Sequence, residues 1–192
     1  MNSQLKKIAV VGPESTGKTT LCEQLASHYL TSWCPEFARE YLLKHGMNYE
    51  YDDLLTIAKG QIVMEEGYVS SMANGQWSKS RLENTDHHSL LFIDTDMYVM
   101  KVWCEFVFGK CHPWILNQIA ERKYDLYLLC NVDLPWIKDE LREYPDLVTR
   151  EKLYHIYKDC MINQSTSWVD ISGNFDERLQ KAIVAVDRLI VG

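Results

Sequence analysis

The 192-residue chain lacks three features that would place it in other classes of protein. No apolar run approaches the roughly 20 residues that a membrane-spanning helix needs, so no membrane partner is expected. Basic residues are not in excess: 20 lysines and arginines against 27 acidic residues give a net charge of −7. No nucleic-acid partner is expected either, because non-specific nucleic-acid binding requires a basic surface. The six cysteines form no C-x-x-C pair, which argues against a zinc site and a disulfide framework.

The composition is otherwise that of an ordinary globular protein, with 46% hydrophobic and 24% charged residues. The length suits one domain, without internal repeats or a long linker, and we expect residues 1–192 to form it. The polar segment 1–7 leads directly into an apolar strand, so we expect no signal peptide and a cytoplasmic location. The cysteines are expected to be reduced thiols that pack as small apolar side chains.

Strand-like and helix-like segments alternate along the chain, which is typical of a parallel sheet with helices on both faces. The predicted strands are 7–11, 31–34, 90–93, 124–130 and 168–171. The predicted helices are 19–29, 36–44, 52–72, 97–108, 113–122, 150–162 and a last helix that Asn174 caps, with Glu177 as its capping-box partner. The polar segment 74–88 predicts a surface loop.

The first predicted strand runs directly into a phosphate-binding motif. Gly12-Pro13-Glu14-Ser15-Thr16-Gly17-Lys18-Thr19 is the complete Walker A pattern, G-x-x-x-x-G-K-S/T, between a strand and a helix. Its glycines let backbone N–H groups wrap around phosphate, and the helix N-terminus adds the positive end of its dipole. Lys18 is expected to reach the β- and γ-phosphates, and the Thr19 hydroxyl to ligate Mg²⁺. The predicted nucleotide-binding residues of this segment are Gly12, Glu14, Ser15, Thr16, Gly17, Lys18, Thr19 and Thr20.

Two acids follow the apolar run that ends at Ile93. Asp94 closes a predicted buried strand, where a Walker B aspartate holds the Mg²⁺ shell, so Thr19 and Asp94 are the predicted metal ligands. Asp96 can share that role or face the substrate. The alternative is that one of the two acids only caps the helix that begins near Met97.

Three segments together resemble the ribosylnicotinamide kinase domain of the NadR type. They are the Walker A segment, Glu36-Phe37-Ala38-Arg39-Glu40, and Phe92-Ile93-Asp94-Thr95-Asp96; weaker matches lie at 57–61, 135–142 and 171–173. The resemblance spans nearly the whole chain and covers only the kinase part of that family. It implies a three-layer α/β fold of the P-loop nucleoside and nucleotide kinases, with a five-stranded parallel sheet and a helical lid. It also implies ATP and Mg²⁺ as cofactors and a small nucleoside as substrate.

The resemblance gives roles to several residues outside the Walker A segment. A carboxylate at Glu36, after strand 2, can accept the proton of an attacking 5′-hydroxyl, although a helix N-terminus also favours glutamate. Arg39, one turn on, can fix the substrate or Glu36. The amide of Gln61 can meet a carboxamide or base edge. The predicted substrate-binding residues are Glu36, Arg39, Gln61, Asp94, Asp96 and Tyr98. Tyr98, Trp103 and Trp114 are candidates to stack on a substrate ring, but the same spacing fits a helix core.

The polar, proline-containing segment 133–150 is the predicted lid. Within it, Arg142 and Arg150 can close on the triphosphate and stabilise charge in the transition state, although surface salt bridges explain such arginines equally. Ser172 and Gly173 follow the last strand, where adenine sits in folds of this kind. The predicted catalytic residues are Lys18, Glu36, Asp94 and Arg142.

The leading interpretation is a kinase that makes nicotinamide mononucleotide from nicotinamide riboside and ATP. A kinase for another nucleoside or small alcohol is the first alternative. The second is a regulatory P-loop NTPase that binds a nucleotide and a protein partner without phosphorylating a small molecule.

Overall fold

The computed structural model describes residues 5–74 and 90–191. The strands are β1 (Lys6–Val11), β2 (Ser32–Cys34), β3 (Leu90–Asp94), β4 (Leu126–Cys130) and β5 (Trp168–Ile171). The helices are α1 (Lys18–His28), α2 (Phe37–His45), α3 (Tyr51–Ala73), α4 (Met97–Phe108), α5 (Pro113–Glu121), α6 (Leu147–Ile162) and α7 (Phe175–Val191).

The strands form one parallel sheet in the order β2-β3-β1-β4-β5. The order reverses direction at β1, where the chain crosses first to one side of the sheet and then to the other. In open α/β sheets, ligands bind at the carboxyl ends of the strands near such a reversal. The predicted three-layer α/β fold with a five-stranded parallel sheet is confirmed.

The sheet is buried on both faces because helices cover each of them. Side chains of β1 alternate between two cores: Ile8 and Val10 pack with α1 and α7, whereas Ala9 and Val11 pack with α4 and α6. Each large apolar side chain of this kind contributes roughly 1.5–3 kcal/mol when it is fully buried. A third apolar cluster joins α2, α3, α4 and α5 beyond β2. The core therefore fixes the carboxyl ends of β1, β2 and β3 in one place.

The observed helix boundaries agree with the predicted ones to within a few residues. Helix α6 begins at Leu147, three residues earlier than predicted, because the Asp146 carboxylate accepts the Thr149 N–H over 2.7 Å and caps it there. The predicted capping box of α7 is present, with the Asn174 N–H donating to Glu177 over 2.8 Å and the Glu177 N–H donating to Asn174 over 3.0 Å. The predicted loop 74–88 lies, except for Asn74, outside the described residues.

The predicted lid segment, residues 133–150, connects β4 to α6 and contains no helix before Leu147. Its helical part is therefore the first turn of α6. All six cysteines are free, and four of them are buried, as predicted. Over the ranges 5–74 and 90–191, no helix is both long and apolar enough to cross a membrane.

Candidate active site

The Walker A segment forms a loop between β1 and α1, and its two glycines adopt conformations that other residues rarely take. Gly12 has φ +137°, and a Cβ there would lie 2.7 Å from the carbonyl oxygen of Cys130. Gly17 has φ +76° and precedes the first turn of α1. Glycine is thus required at both positions, once for space beside β4 and once for a left-handed turn.

Hydrogen bonds within the loop hold it in shape. The buried Thr16 hydroxyl donates to the Pro13 carbonyl over 2.7 Å, and the Lys18 ammonium donates to the same carbonyl over 3.0 Å. Lys18 therefore lies over the loop and uses one of its three N–H donors to brace it. The other two donors are free to meet phosphate oxygens, as the motif predicts.

Asp94 lies beside this loop because β3 pairs with β1, with Asp94 opposite Val10. The Thr19 hydroxyl donates to Asp94 Oδ2 over 2.6 Å, whereas Asp94 Oδ1 is buried and has no hydrogen-bond partner among the residues that the structure describes. Burial raises the pKa of Asp94 to about 6, with a further rise from the charge of Glu36; Lys18 and the Thr19 hydroxyl act in the opposite direction. The carboxylate is therefore a buried anion with one unused oxygen.

These residues fit a bound Mg²⁺ ion. A carboxylate oxygen without a partner and a neighbouring hydroxyl are the hard oxygen donors that Mg²⁺ prefers. In the part of the chain that the structure describes, no group of three or more histidine, cysteine or acidic side chains could hold a metal by itself. Mg²⁺ usually takes one or two protein ligands together with phosphate oxygens and water.

Glu36 lines the same cavity as Asp94. It follows β2, whose residue Cys34 pairs with Ile93 of β3, so Glu36 and Asp94 leave adjacent strands at the same edge. The Glu36 side chain does not cap α2, and it lines the same cavity as Asp94. Burial raises the pKa of both Asp94 and Tyr157, and the charge of Glu36 adds to each rise. Glu36 thus shares the cavity with Asp94, the predicted metal ligand, and with Tyr157 of α6.

The cavity has a volume of about 330 Å³. One part, the phosphate part, consists of residues 12–20 and Asp94. The other, the aromatic part, consists of Trp103, Phe106, Tyr144 and Tyr157 from α4, the lid and α6. The rings of Phe106 and Tyr144 meet edge to face, with centroids 5.3 Å apart. A cavity of this composition can hold a triphosphate next to a flat, partly apolar ring.

Gln61 does not line the cavity and instead fixes the turn that carries Glu36. The side chain is buried; its oxygen accepts the Phe37 N–H over 2.7 Å, and its amide donates to the Pro35 carbonyl over 3.2 Å. The predicted contact between Gln61 and substrate is not what the structure shows, because these backbone groups occupy the amide. Gln61 thus positions Glu36 by holding the backbone of the residues on either side of it.

Asp96 and Tyr98 also lie outside the cavity lining. Asp96 caps α4: its Oδ1 accepts the N–H groups of Tyr98 and Val99 over 3.0 and 3.3 Å, and its Oδ2 accepts the Tyr127 hydroxyl over 3.1 Å. Burial raises the pKa of Asp96 to about 7 against the effect of these hydrogen bonds. The capping alternative therefore describes Asp96. Tyr98 packs edge to face on Tyr127 instead of facing the cavity.

Arg39 was predicted to bind the substrate, and Arg142 and Arg150 were predicted to act from the lid. Two of these three arginines line the cavity. Arg39 does so and pairs with Asp139 of the lid over 3.1 Å, and Arg142 does so while donating to the Ile137 carbonyl over 2.5 Å. The buried Arg150 instead donates to the carbonyls of Ser15 and Leu134 over 3.2 and 3.3 Å. Arg150 is therefore a brace behind the Walker A loop, because its Nη2 bonds to two backbone carbonyls and its side chain does not line the cavity.

Ser172 and Gly173 are not part of the cavity lining. They lie close to Arg178, whose structural role the sequence did not indicate. Arg178 of α7 is buried and donates to the carbonyls of Gly173, Thr16 and Asn131, each over 2.8 Å. It also pairs with Asp133. This one guanidinium connects β4, β5 and the Walker A loop. Its only sequence signal was an arginine on the apolar face of α7.

The aromatic part of the cavity was largely missed as well. Among the three stacking candidates, Trp103 lines the cavity, whereas Tyr98 and Trp114 do not. Phe106 lies one helical turn from Trp103 and could have been found from that spacing. Tyr144 and Tyr157 lie far along the chain, and only the fold brings them to α4.

Comparisons with known proteins confirm the predicted resemblance. The trifunctional NAD biosynthesis/regulator protein NadR of Salmonella typhimurium is 25% identical over 191 residues, which is 97% of this chain and 43% of that protein. The chain thus spans less than half the length of this curated relative. A crystal structure of NadR protein in complex with NR has a TM-score of 0.76 and 24% identity, covering 96% of this chain and 49% of that chain. One of NadR protein with NAD and AMP-PNP has a TM-score of 0.69, 22% identity and the same coverage.

At such identities the structural likeness establishes the fold, and the membership of a family comes from a sequence model. A model described as an AAA domain matches residues 7–178. The match begins in β1, includes the Walker A loop and Asp94, and ends at Arg178. It therefore includes the Walker A loop, Asp94 and the arginine that bonds to that loop. This chain belongs to the AAA domain family.

Proposed function

We propose that the protein transfers the γ-phosphoryl group of ATP to the 5′-hydroxyl of nicotinamide riboside, forming nicotinamide mononucleotide. One observation carries this proposal: a single cavity is lined by the Walker A residues of the phosphate part, by the side chains of the aromatic part and by Glu36. A nucleotide-binding switch needs the phosphate part alone. An aromatic compartment in the same cavity as a carboxylate suits a second, ring-bearing substrate.

The relatives support the same reaction. NadR of Salmonella typhimurium carries NAD biosynthesis in its name, and NadR protein has been crystallised with NR and with AMP-PNP, an ATP analogue. Its fold is shared by 96% of this chain. We extend the acceptor and the nucleotide to this chain on the grounds that the phosphate part and the aromatic part occupy one cavity.

The chemistry requires the acceptor oxygen to bond to the γ-phosphorus while the bond between that phosphorus and the β–γ bridging oxygen breaks, releasing ADP. Glu36 accepts the proton that the hydroxyl loses, because its carboxylate lines the cavity beside Asp94. Lys18 holds the β- and γ-phosphates, and Arg142 stabilises the charge that develops on the transferred group. Thr19 and Asp94 would hold Mg²⁺, which supplies neutralisation of phosphate charge.

Charge favours a cationic acceptor such as nicotinamide riboside, whose pyridinium ring is positive. The carboxylates of Glu36 and Glu143 line the cavity, and Trp103 and Tyr144 offer ring faces for cation–π contact. Asp96 and Glu40 do not add to this charge in the cavity lining, because Asp96 is a helix cap and Glu40 is exposed outside the lining.

The direct test is ADP formation with and without nicotinamide riboside, together with mass spectrometry of the product. A kinase releases ADP only with the acceptor and yields a product heavier by one phosphoryl group. Acceptor-independent hydrolysis would instead support a regulatory NTPase, and turnover with a different nucleoside alone would support the other alternative. Glu40→Gln serves as a control for Glu36→Gln, since both glutamates lie in or next to the first turn of α2.

A further inference from the structure

The side chain of Glu14, a variable position of the Walker A pattern, contacts the lid. Its Oε2 accepts the backbone N–H of Glu143 over 3.0 Å, and its Oε1 accepts the backbone N–H of Tyr144 over 2.5 Å. A carboxylate that receives two successive N–H groups makes two charge-assisted hydrogen bonds with defined direction. Glu14 therefore fixes the lid backbone at the two residues after Arg142.

A second, weaker attachment lies next to the first. The Ser15 hydroxyl accepts the Ile137 N–H over 3.0 Å, and the Ser15 carbonyl accepts the guanidinium of Arg150 over 3.2 Å. Adjacent residues of one loop thus contact the lid segment at its beginning, near its middle and at its end. Phosphate binding by the Walker A backbone and the placement of the lid depend on the same residues.

The lid is also attached to the cavity-lining Trp103 of α4, through Tyr49. The Tyr49 hydroxyl donates to Glu143 Oε2 over 2.8 Å and accepts the indole N–H of Trp103 over 2.9 Å. The rings of Tyr49 and Trp103 meet edge to face, with centroids 5.1 Å apart. Glu143 is therefore held by its backbone from Glu14 and by its side chain from Tyr49.

We propose that Glu14 and Tyr49 are positioning residues that fasten the lid segment 133–150 over the cavity and so place Arg142 and Tyr144 for phosphoryl transfer. The proposal rests on the proposed function for its kinetic consequence, but not for the attachment itself. Arg142 and Tyr144 both line the cavity, on either side of the fastened residue Glu143. One attachment thus places both side chains.

Limited proteolysis tests the attachment without any need for turnover. The lid contains three tryptic sites, the exposed Lys138, the half-buried Arg142 and the buried Arg150, and the first two report on its attachment. We expect Glu14→Ala to raise the initial rate of cleavage after Lys138 and Arg142 at least about threefold, because a segment is cut as often as it detaches. Glu14→Gln and Tyr49→Phe should give smaller increases. Glu151→Ala, which removes an exposed acid of α6, is the control and should cleave like the unchanged protein.

Kinetics tests the consequence. Glu14→Ala and Tyr49→Phe should lower kcat/KM for the acceptor about tenfold, as expected for losing one or two charge-assisted hydrogen bonds that hold the lid. The KM for ATP should change less than twofold, and the melting temperature should stay within a few degrees, about the range of a small loss of stability. A role confined to stability would not separate the two KM values.

The outcomes distinguish the failure of this proposal from that of the proposed function. Cleavage of Glu14→Ala at the rate of the unchanged protein would overturn the attachment, whatever the activity. A rise in KM for ATP alone would also overturn it, because Glu14 would then act on the nucleotide directly. If the unchanged protein phosphorylates no acceptor, the proposed function fails, and the cleavage rates still decide whether Glu14 and Tyr49 fasten the lid.

Discussion

The Thr19 hydroxyl donates a hydrogen bond of 2.6 Å to Asp94, and this contact joins the first turn of α1 to the end of β3. It leaves the second oxygen of Asp94 buried without a partner in the described part of the chain. A buried carboxylate oxygen without a partner lowers the stability of the fold. A ligand that binds to this oxygen during function explains why it is there. Mg²⁺ carried in with a nucleoside triphosphate is such a ligand.

Asp94→Asn should therefore separate stability from function. Burial disfavours the ionised form of Asp94, so the neutral amide should leave the melting temperature in metal-free buffer unchanged or raise it. The same variant should need a higher Mg²⁺ concentration for half-maximal activity and should gain less thermal stabilisation from Mg²⁺ and ADP. Thermal melts across a Mg²⁺ titration measure both effects. A marked loss of metal-free stability would show that Asp94 is structural.

Lys18→Ala should remove most phosphoryl transfer while the protein melts at a similar temperature. The ammonium braces the loop through a single hydrogen bond to Pro13, so little folding energy depends on it. Its main contribution is then to bind the β- and γ-phosphates. Isothermal titration with ADP and a coupled assay check the two parts. Near-normal turnover in Lys18→Ala would defeat the assignment of the phosphate site.

Glu36→Gln should reduce kcat by roughly 10²–10⁴-fold, the usual contribution of a general base. The glutamine keeps the size of the side chain but cannot accept a proton at neutral pH. Glu40→Gln, four residues on and exposed, should leave kcat unchanged. The comparison of the two kcat values at saturating ATP and acceptor is the measurement. If both variants match the unchanged protein, Glu36 is not the base and Asp94 becomes the candidate.

The parts of this site that the sequence predicted are those that depend on local geometry. The Walker A loop specifies its own conformation through Gly12 and Gly17, and the end of a buried strand specifies where Asp94 lies. The role of Asp96 was ambiguous because an aspartate two residues after Asp94, just before a helix, serves equally well as a helix cap.

The parts that the sequence did not predict depend on contacts across the fold. The attachments of Glu14 to residues 143 and 144 join positions about 130 apart. Most hydrogen bonds of Gln61 and Arg178 are with backbone groups, which every residue has, so residue types do not identify these partners. The sequence does not show that Gln61 is buried. Without that information, a polar helix residue was assigned a contact with the substrate.

Gln61→Met should lower both stability and activity. It replaces the amide with an apolar side chain of similar size and leaves the Phe37 N–H and the Pro35 carbonyl without this partner. The free energy of unfolding should fall by about 1–3 kcal/mol, the usual cost of an unsatisfied buried polar group. Because Glu36 lies between those two residues, kcat should fall as well. Denaturant unfolding and steady-state kinetics check the pair, and a higher acceptor KM with unchanged stability would restore the substrate contact instead.

Arg142→Ala should lower kcat more than it weakens ATP binding. Its guanidinium donates to the Ile137 carbonyl within the lid, so it reaches the triphosphate only from that segment. Its contribution is then to the transition state, where charge develops on the transferred group. Kinetics with ATP as the varied substrate separates kcat from KM. Equal losses in both quantities, or no loss, would place Arg142 at the surface without a role in transfer.

The central claim is tested most directly by kcat/KM for nicotinamide riboside, uridine, cytidine and adenosine, measured under identical concentrations of ATP and Mg²⁺. The carboxylates of Glu36 and Glu143 and the rings of Trp103 and Tyr144 line the cavity and favour a cation. Nicotinamide riboside should therefore exceed each neutral nucleoside at least about tenfold, which is roughly 1.4 kcal/mol of differential transition-state binding. A neutral nucleoside with the highest kcat/KM would contradict the claim.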